Sequence, residues 1–168
     1  MNLRIVGCPE KEKFLPYLKK AVDFYSECLF SKKLCDNIHL KIKFNKNLEF
    51  YGNASIEEYN NSRKAREFLI QLNPNIGAAE ILKTLAHEMV HVKQFAAGEL
   101  NDTLTRWKGS KIDSDELDYY SHPWEIEAEG METGLFTNFV KKEKLWEIFE
   151  DIRNPDDKIK KKPLGWKI

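Results

Sequence analysis

Residues 82–95, "LKTLAHEMVHVKQF", decide the fold class that this chain can adopt. In and around this stretch, apolar residues recur at intervals of three and four, which is the spacing of one face of an α-helix. These residues are Ile81, Leu85, Met89, Val92 and Ala96. Gly98 follows as a typical helix terminator, so the spacing predicts a helix over residues 80–97.

The same stretch contains the pattern His-Glu-x-x-His, formed by His87, Glu88 and His91. Residues four apart on a helix return to within about 40° of each other, so both imidazoles can point the same way. Two neutral imidazoles can bind Zn²⁺ from one side, and a neighbouring carboxylate can accept a proton from water that zinc has acidified. The pattern predicts His87 and His91 as ligands and Glu88 as the general base. The alternative is that two histidines share a helix face by chance.

A second buried helix is predicted from near Pro123, a residue that suits the first turn of a helix. The apolar residues that share one face there are Trp124, Ala128, Met131, Leu135 and Phe139. This helix overlaps the segment "YYSHPWEIEAEGMETG", residues 119–134, which is rich in carboxylates. We expect it to approach the first helix along its apolar face.

A catalytic zinc usually has three protein ligands and one water, so a third ligand must come from this second segment. Glu125 lies on one flank of its apolar face and Glu127 on the other, and periodicity does not choose between them. His122, immediately before the helix, is a further alternative. Most glutamates on helices face solvent, so at least two of the four between residues 125 and 132 should have no role in the site.

Periodicity predicts further helices and strands along the chain. The helices are residues 10–30 and 141–152, and the strands lie within residues 38–45, 48–59 and 66–75. Pro16 is expected near the first turn of the first helix. Residues 99–121 lack a sustained period and predict a long loop, and a basic tail with Trp166 begins at about residue 155. The length of 168 residues favours one α+β domain spanning residues 1–168.

Composition excludes several classes of protein. Lysine plus arginine number 27 and aspartate plus glutamate also number 27, so no global charge favours nucleic acid or an anionic membrane as a partner. No apolar run is long enough to cross a bilayer. Cys8, Cys28 and Cys35 lack paired spacing, which argues against a disulfide framework and a cysteine zinc knuckle. We therefore expect a cytoplasmic protein.

The sequences "HEMVHVKQ", residues 87–94, and "HPWEIEA", residues 122–128, resemble the gluzincin group of zinc metallopeptidases. They are most similar to small phage and bacterial members described as SprT-like, and the resemblance covers residues 66–135. It implies a peptidase acting on peptide or protein substrates in a bacterial or host cytoplasm. It also implies a zincin-like fold: an N-terminal helix, a small twisted and mainly antiparallel sheet, the His-Glu-x-x-His helix and a second helix bearing the glutamate.

The resemblance further implies roles for residues of the second helix. Members of the group take the third ligand from Glu-x-x-Ala-Asp or Glu-x-x-Ala-Asn, which assigns the metal to Glu125 and places Ala128 where the helices approach. Glu129 then stands at the position that hydrogen-bonds the outer nitrogen of His87 or His91, although the group usually has Asp or Asn there. Glu127 remains the substitute ligand. SprT-like proteins in the strict sense use a third histidine, which this helix lacks.

Two further expectations come from the resemblance. The segment "EFLIQLNPN", residues 67–75, should form an edge strand on which an extended peptide substrate pairs its backbone. Tyr119, Tyr120 and His122 are candidates to stabilise the oxyanion formed during hydrolysis. The alternative function is a non-catalytic zinc site that braces the fold or a binding surface, although a structural site does not need the carboxylate of Glu88.

Overall fold

The computed structural model describes residues 1–60 and 64–158. One layer is a four-stranded sheet with the spatial order β1-β2-β4-β3. Its strands are β1 (Asn2–Val6), β2 (His39–Phe44), β3 (Gly52–Tyr59) and β4 (Ala65–Leu72). β1 and β4 both pair in parallel with β2, whereas β3 is antiparallel to β4. The fold is α+β as predicted, but the sheet is mixed, so the prediction of a mainly antiparallel sheet is wrong.

The connections explain the mixed sheet. Helix α1 (Lys11–Leu29) and the short helix α2 (Lys32–Cys35) join β1, which was not predicted, to β2. A helical crossover returns the chain in its original direction, so the strands that it joins run parallel. β4 is the next strand after β3 along the chain and lies between β3 and β2 in the sheet. The strand predicted as the edge is therefore internal, and β3 is an edge strand that contacts the helix bearing His87 and His91.

The remaining helices are α3 (Ala78–Ala97) and α4 (Pro123–Glu143), close to their predicted positions. Gly98 ends α3 with a φ of 73°, a left-handed conformation that glycine adopts without strain. Helix α1 also lies where periodicity predicted it. Pro16, however, lies inside α1 beyond the first turn, where its missing N–H removes one backbone hydrogen bond.

The core lies between the sheet and the helices. On the buried face, cross-strand neighbours pack as apolar pairs, namely Leu40 with Phe68, Ile42 with Ile70 and Phe44 with Leu72. Helix α3 contacts this face and is also flanked by α1 and α4. Thirteen of its twenty residues are buried, so α3 is enclosed on most sides rather than along one stripe. Polar groups on α3 therefore lie in a largely desolvated environment.

The two outer segments differ from their predictions. The predicted loop of residues 99–121 contains a hairpin of β5 (Arg106–Trp107) and β6 (Ser110–Lys111), followed by two 3₁₀ turns. The predicted helix over residues 141–152 is wrong, because α4 continues to Glu143 and ends at Lys144, whose φ is 50°.

A 3₁₀ turn, Leu145–Glu147, follows α4. Another 3₁₀ turn, Pro155–Lys158, begins where the basic tail was predicted, and Trp166 lies outside the described residues. No helix among residues 1–60 and 64–158 has the length and apolar character needed to span a bilayer.

Candidate metal centre

The structure brings together three side chains from two helices. His87 and His91 lie one turn apart on α3, and Glu125 lies in the first turn of α4. The Nε2 atoms of the two histidines are 3.1 Å apart. Oε2 of Glu125 lies 3.3 Å from Nε2 of His87 and 3.5 Å from Nε2 of His91. All three residues are buried, with exposed fractions between 6% and 8%.

Gln94 determines which nitrogen of His91 carries the proton. The side-chain amide of Gln94 donates to the backbone carbonyl of Trp124 at 3.0 Å and to the carboxylate of Glu127 at 2.9 Å. Both partners are acceptors, so the amide nitrogen must face them and Oε1 must face His91. Oε1 lies 2.9 Å from Nδ1 of His91, which therefore donates. A neutral His91 then presents the lone pair of Nε2 toward Glu125.

Glu132 likewise determines which nitrogen of His87 carries the proton. Its Oε2 lies 3.1 Å from Nδ1 of His87, and its Oε1 pairs with Nζ of Lys83 at 2.8 Å. Burial raises the pKa of Glu132, but its hydrogen bonds with His87 and Lys83 outweigh burial and lower that pKa overall. An ionised Glu132 accepts the Nδ1 proton, which leaves the Nε2 lone pair of a neutral His87 facing the centre of the cluster.

Three acceptor atoms therefore face one another across a small triangle, an arrangement that is unfavourable without a cation between them. Oε2 of Glu125 is buried and has no hydrogen-bond donor among the described residues. Tetrahedral Zn²⁺ with bonds of about 2.0–2.1 Å holds its ligand atoms about 3.3 Å apart. The observed edges of 3.1, 3.3 and 3.5 Å match that separation. The donor set of two imidazoles and one carboxylate is one that zinc accepts, so the residues present fit this ion.

The pKa shifts of these side chains also indicate that a positive charge stabilises the cluster. Burial lowers the pKa of His87, but Glu125, Glu132 and Glu88 raise it more, to about 10. The pKa of His91 is likewise raised, since Glu125 outweighs its burial. Burial raises the pKa of Glu125, but the two histidines lower it well below its usual range overall. Without a metal, protons on the histidines would balance the carboxylate charge.

Glu88 lies next to this cluster and against the edge strand. Only 5% of its surface is exposed. Burial raises its pKa to about 7, although His91, His87 and the backbone N–H of Ala54 act in the opposite direction. Gly52 lets β3 approach α3 this closely, because a Cβ at residue 52 would lie only 2.6 Å from Cγ2 of Thr84. This close approach allows the backbone N–H of Ala54 on β3 to donate to the carboxylate of Glu88.

Two cavities flank the cluster. One, of about 180 Å³, contacts His91 and is lined by apolar side chains that include Phe95, Leu100, Leu104 and Trp124. The other, of about 380 Å³, contacts His87 and extends along the first half of α3. Gly52, Glu88 and Tyr119 line both cavities. The three shared residues place the two cavities side by side at Glu88 and the edge strand, and we call the two together the cleft.

Among the three candidate oxyanion donors, Tyr119 is the one that interacts with Glu125. Burial raises its pKa, and Glu125 adds to this effect. Tyr120 is 72% exposed and lines only the cavity beside His87. Both ring nitrogens of His122 lie near backbone carbonyls, those of Tyr119 at 3.0 Å and Ser114 at 3.1 Å. The ring of His122 also stacks on Trp124, with centroids 4.6 Å apart, and the residue is absent from the three-ligand cluster.

The two other glutamates with expected roles are not part of the three-ligand triangle. Glu127 hydrogen-bonds Gln94 and Lys108, each at 2.9 Å, on the opposite flank of α4 from Glu125. Glu129 is exposed, and one of its carboxylate oxygens lies within 4.8 Å of a ring nitrogen of His87, but Glu132 rather than Glu129 makes the hydrogen bond to Nδ1 of His87.

Sequence reasoning missed the roles of Gln94 and Glu132. Their spacing held a signal, because Gln94 lies one turn beyond His91 and Glu132 lies two turns beyond Glu125.

No protein-family model, no curated protein and no solved structure matches this chain. Membership of the gluzincin group therefore stays a prediction from residues 87–94 and 122–128.

Proposed function

We propose that this chain is a zinc-dependent metallopeptidase. The observation that carries the proposal is the triangle of His87 Nε2, His91 Nε2 and Glu125 Oε2, whose edges suit one tetrahedral zinc ion. Helix α3 supplies two corners and α4 the third, and Gln94 and Glu132 orient both imidazoles. A purely structural zinc site would more naturally close with a fourth protein ligand, whereas here Glu88 and a cleft adjoin the triangle.

Each residue has a distinct part in the proposed reaction. Bound zinc would supply Lewis acidity and make a water molecule a better nucleophile. Glu88 would accept the proton of that water and deliver it to the leaving amine, a task suited to a pKa near neutrality. Tyr119, which lines both cavities and contacts Glu125, would donate to the oxyanion that develops on the substrate carbonyl.

The edge strand supports a peptide as the substrate. In the part of the chain that the structure describes, β3 pairs with a strand on one side only, β4, and the N–H of Ala54 donates to Glu88. An extended peptide can add to such an edge through its main chain. Its scissile carbonyl would then lie beside Glu88, between the two cavities.

Metal content and cleavage test the proposal. The proteins to compare are the wild type, His87→Ala, Glu88→Gln, Glu125→Ala and Glu127→Ala. We expect about one zinc per chain in the wild type, Glu88→Gln and Glu127→Ala, and a loss of zinc in His87→Ala and Glu125→Ala. A mixed peptide library should be cleaved by the wild type and left intact by Glu88→Gln, although this variant keeps its metal.

Glu127→Ala is the matched control for Glu125→Ala, because both residues lie in the first turns of α4 but on opposite flanks. Loss of zinc in Glu127→Ala and not in Glu125→Ala would identify Glu127 instead of Glu125 as the third ligand. Zinc binding by the wild type without cleavage would favour the non-catalytic zinc-site protein. A wild type that binds no zinc would overturn the metal site itself.

A further inference from the structure

The larger of the two cavities differs from the smaller one in the side chains that line it. It lies beside His87 and is lined by four aromatic side chains and by glutamates of α4. We call it the aromatic cavity; its distinguishing residues are Phe50, Tyr51, Tyr119, Tyr120, Glu129 and Glu132. Its volume of about 380 Å³ is within the range of small-ligand pockets, about 300–1,000 Å³, whereas the cavity beside His91 is smaller.

The aromatic rings are unusually accessible for their size. Phe50 is 53% exposed, Tyr51 57%, Tyr119 55% and Tyr120 72%. Half of the strongly exposed large hydrophobic residues in the described part of the chain therefore line this one cavity. A contiguous exposed apolar patch indicates a binding surface, and one beside a hydrolytic centre is suited to a substrate side chain.

The charges of the aromatic cavity favour a cation. Lys83 pairs with Glu132 at 2.8 Å, and a bound divalent ion would offset the carboxylates of Glu125 and Glu88. Glu129 is exposed at the rim and makes no direct ion pair among the described residues, although the charge of Lys83 interacts with it at longer range. No lysine or arginine of residues 1–60 and 64–158 lines the cavity. Glu129 and Glu132 thus share the charge of the Lys83 ammonium group next to the aromatic rings, which leaves a net negative charge there.

We propose that the aromatic cavity selects a lysine or arginine side chain next to the scissile bond of the substrate. This inference rests on the proposed peptidase function and names the side chain that the cleft prefers. The aliphatic stem of such a side chain would pack on the tyrosines, whose faces attract cations, and its charged end would reach Glu129. A neutral apolar side chain would cover Glu129 without pairing it, and an acidic one would be repelled.

Peptides that differ at one position test the inference. Three peptides carry lysine, norleucine or glutamate at a position flanking the scissile bond, and each flank is tested in turn. With the wild type, kcat/KM should be about tenfold higher for lysine than for norleucine on one flank, and lowest for glutamate. Glu129→Gln should remove the preference for lysine over norleucine, and Glu129→Lys should reverse the order of lysine and glutamate. High salt should reduce the preference.

Glu147→Gln is the matched control, since Glu147 is an exposed glutamate that lines neither cavity. It should keep the wild-type ranking of peptides. Cleavage with norleucine equal to or better than lysine on both flanks would overturn the inference and leave the metallopeptidase intact.

The two proposals can also be separated if no peptide is cleaved, a result that removes the peptidase. Binding of the three peptides to zinc-loaded Glu88→Gln then tests the cavity directly. Tighter binding of the lysine peptide, abolished by adding Glu129→Gln, would support the cationic site. Equal binding of the three peptides would overturn it.

Discussion

The side-chain oxygen and the side-chain amide of Gln94 both make hydrogen bonds, and they link the two helices that carry the candidate metal ligands. Its Oε1 accepts from His91, and its amide donates to the Trp124 carbonyl and to Glu127. The residue is fully buried, so these bonds act in a low-dielectric environment where losing one is costly. One side chain therefore fixes both the orientation of a ligand ring and the position of the start of α4.

Gln94→Ala should weaken zinc binding about 10- to 100-fold, because the His91 ring loses the acceptor that orients it. The affinity can be measured by competition with a chromogenic chelator. Gln71→Ala serves as the control, since Gln71 hydrogen-bonds Asn45 on the sheet and lines neither cavity beside the metal centre. An unchanged zinc affinity in Gln94→Ala would contradict its role as a positioning residue.

Gly52 provides a second residue-level prediction. A methyl group there would lie 2.6 Å from Cγ2 of Thr84 and 3.0 Å from the Gln71 carbonyl oxygen. Gly52→Ala should therefore destabilise the fold by about 1–3 kcal/mol, as overpacking does, and move Ala54 away from Glu88. Urea unfolding of Gly52→Ala, Thr84→Ser and the double variant measures the coupling. Additive effects would show that the strand does not press on this threonine.

For single residues, the spacing of His87 and His91 was sufficient to predict that they share a helix face, with Glu88 at the edge of that face. The choice between Glu125 and Glu127 was not, because both flank the apolar stripe of α4. The rotation of α4 against α3 decides which one faces the histidines, and that rotation depends on packing between distant segments. The same rotation places Glu132, rather than Glu129, on His87.

Within helix α4, Gly134 is a position where a substitution should stabilise the protein. A Cβ at Gly134 would meet no heavy atom within 4 Å, so this glycine has no packing role among the described residues. Gly134→Ala should stabilise the protein by about 0.5–1 kcal/mol, because alanine loses less backbone entropy in a helix.

Chemical denaturation of zinc-loaded protein measures the effect of Gly134→Ala. Zinc affinity provides its control, since Gly134 lies outside the ligand cluster and the affinity should not change. A destabilised Gly134→Ala would mean that another group contacts this face of α4.

Helices were the more predictable elements because their apolar periodicity is local. α1, α3 and α4 lie close to the predicted ranges. Strand order depends on pairing between distant segments, and the five-residue strand β1 alternates too briefly to stand out. Because β1 was not predicted, α1 was not recognised as the crossover between two strands. The parallel pairing and the internal position of β4 were therefore not predicted either.

For the whole molecule, the metal-free protein should lose stability as pH rises from about 5 to 10. Folding raises the pKa of Glu88 from 4.5 to about 7, so its neutral form favours the folded state until that proton is lost. Folding also raises the pKa of His87 from 6.5 to about 10, so its stabilising contribution is complete below 6.5 and disappears by about 10. Both groups therefore lower the free energy of unfolding as the pH rises.

Zinc should reverse this trend above neutral pH, since it binds neutral imidazoles and replaces their protons. The urea midpoint at pH 5, 7 and 9, with chelator or with zinc, measures both effects. Glu88→Gln should remove the part of the decline between pH 5 and 7 and make the rest end at a lower pH, because the Glu88 carboxylate also raises the pKa of His87. A midpoint that stays constant with pH in chelator would show that the cluster does not hold these protons.

The position of the three ligands also has a topological consequence. An ion that joins His91 to Glu125 closes the intervening segment, with its β5–β6 hairpin, into a loop, much as a reversible cross-link would. Chelation should then speed amide hydrogen exchange in the hairpin and the first turns of α4, while β2 and β4 keep their protection. Uniform acceleration along the chain would instead mean that the ion stabilises the fold as one cooperative unit.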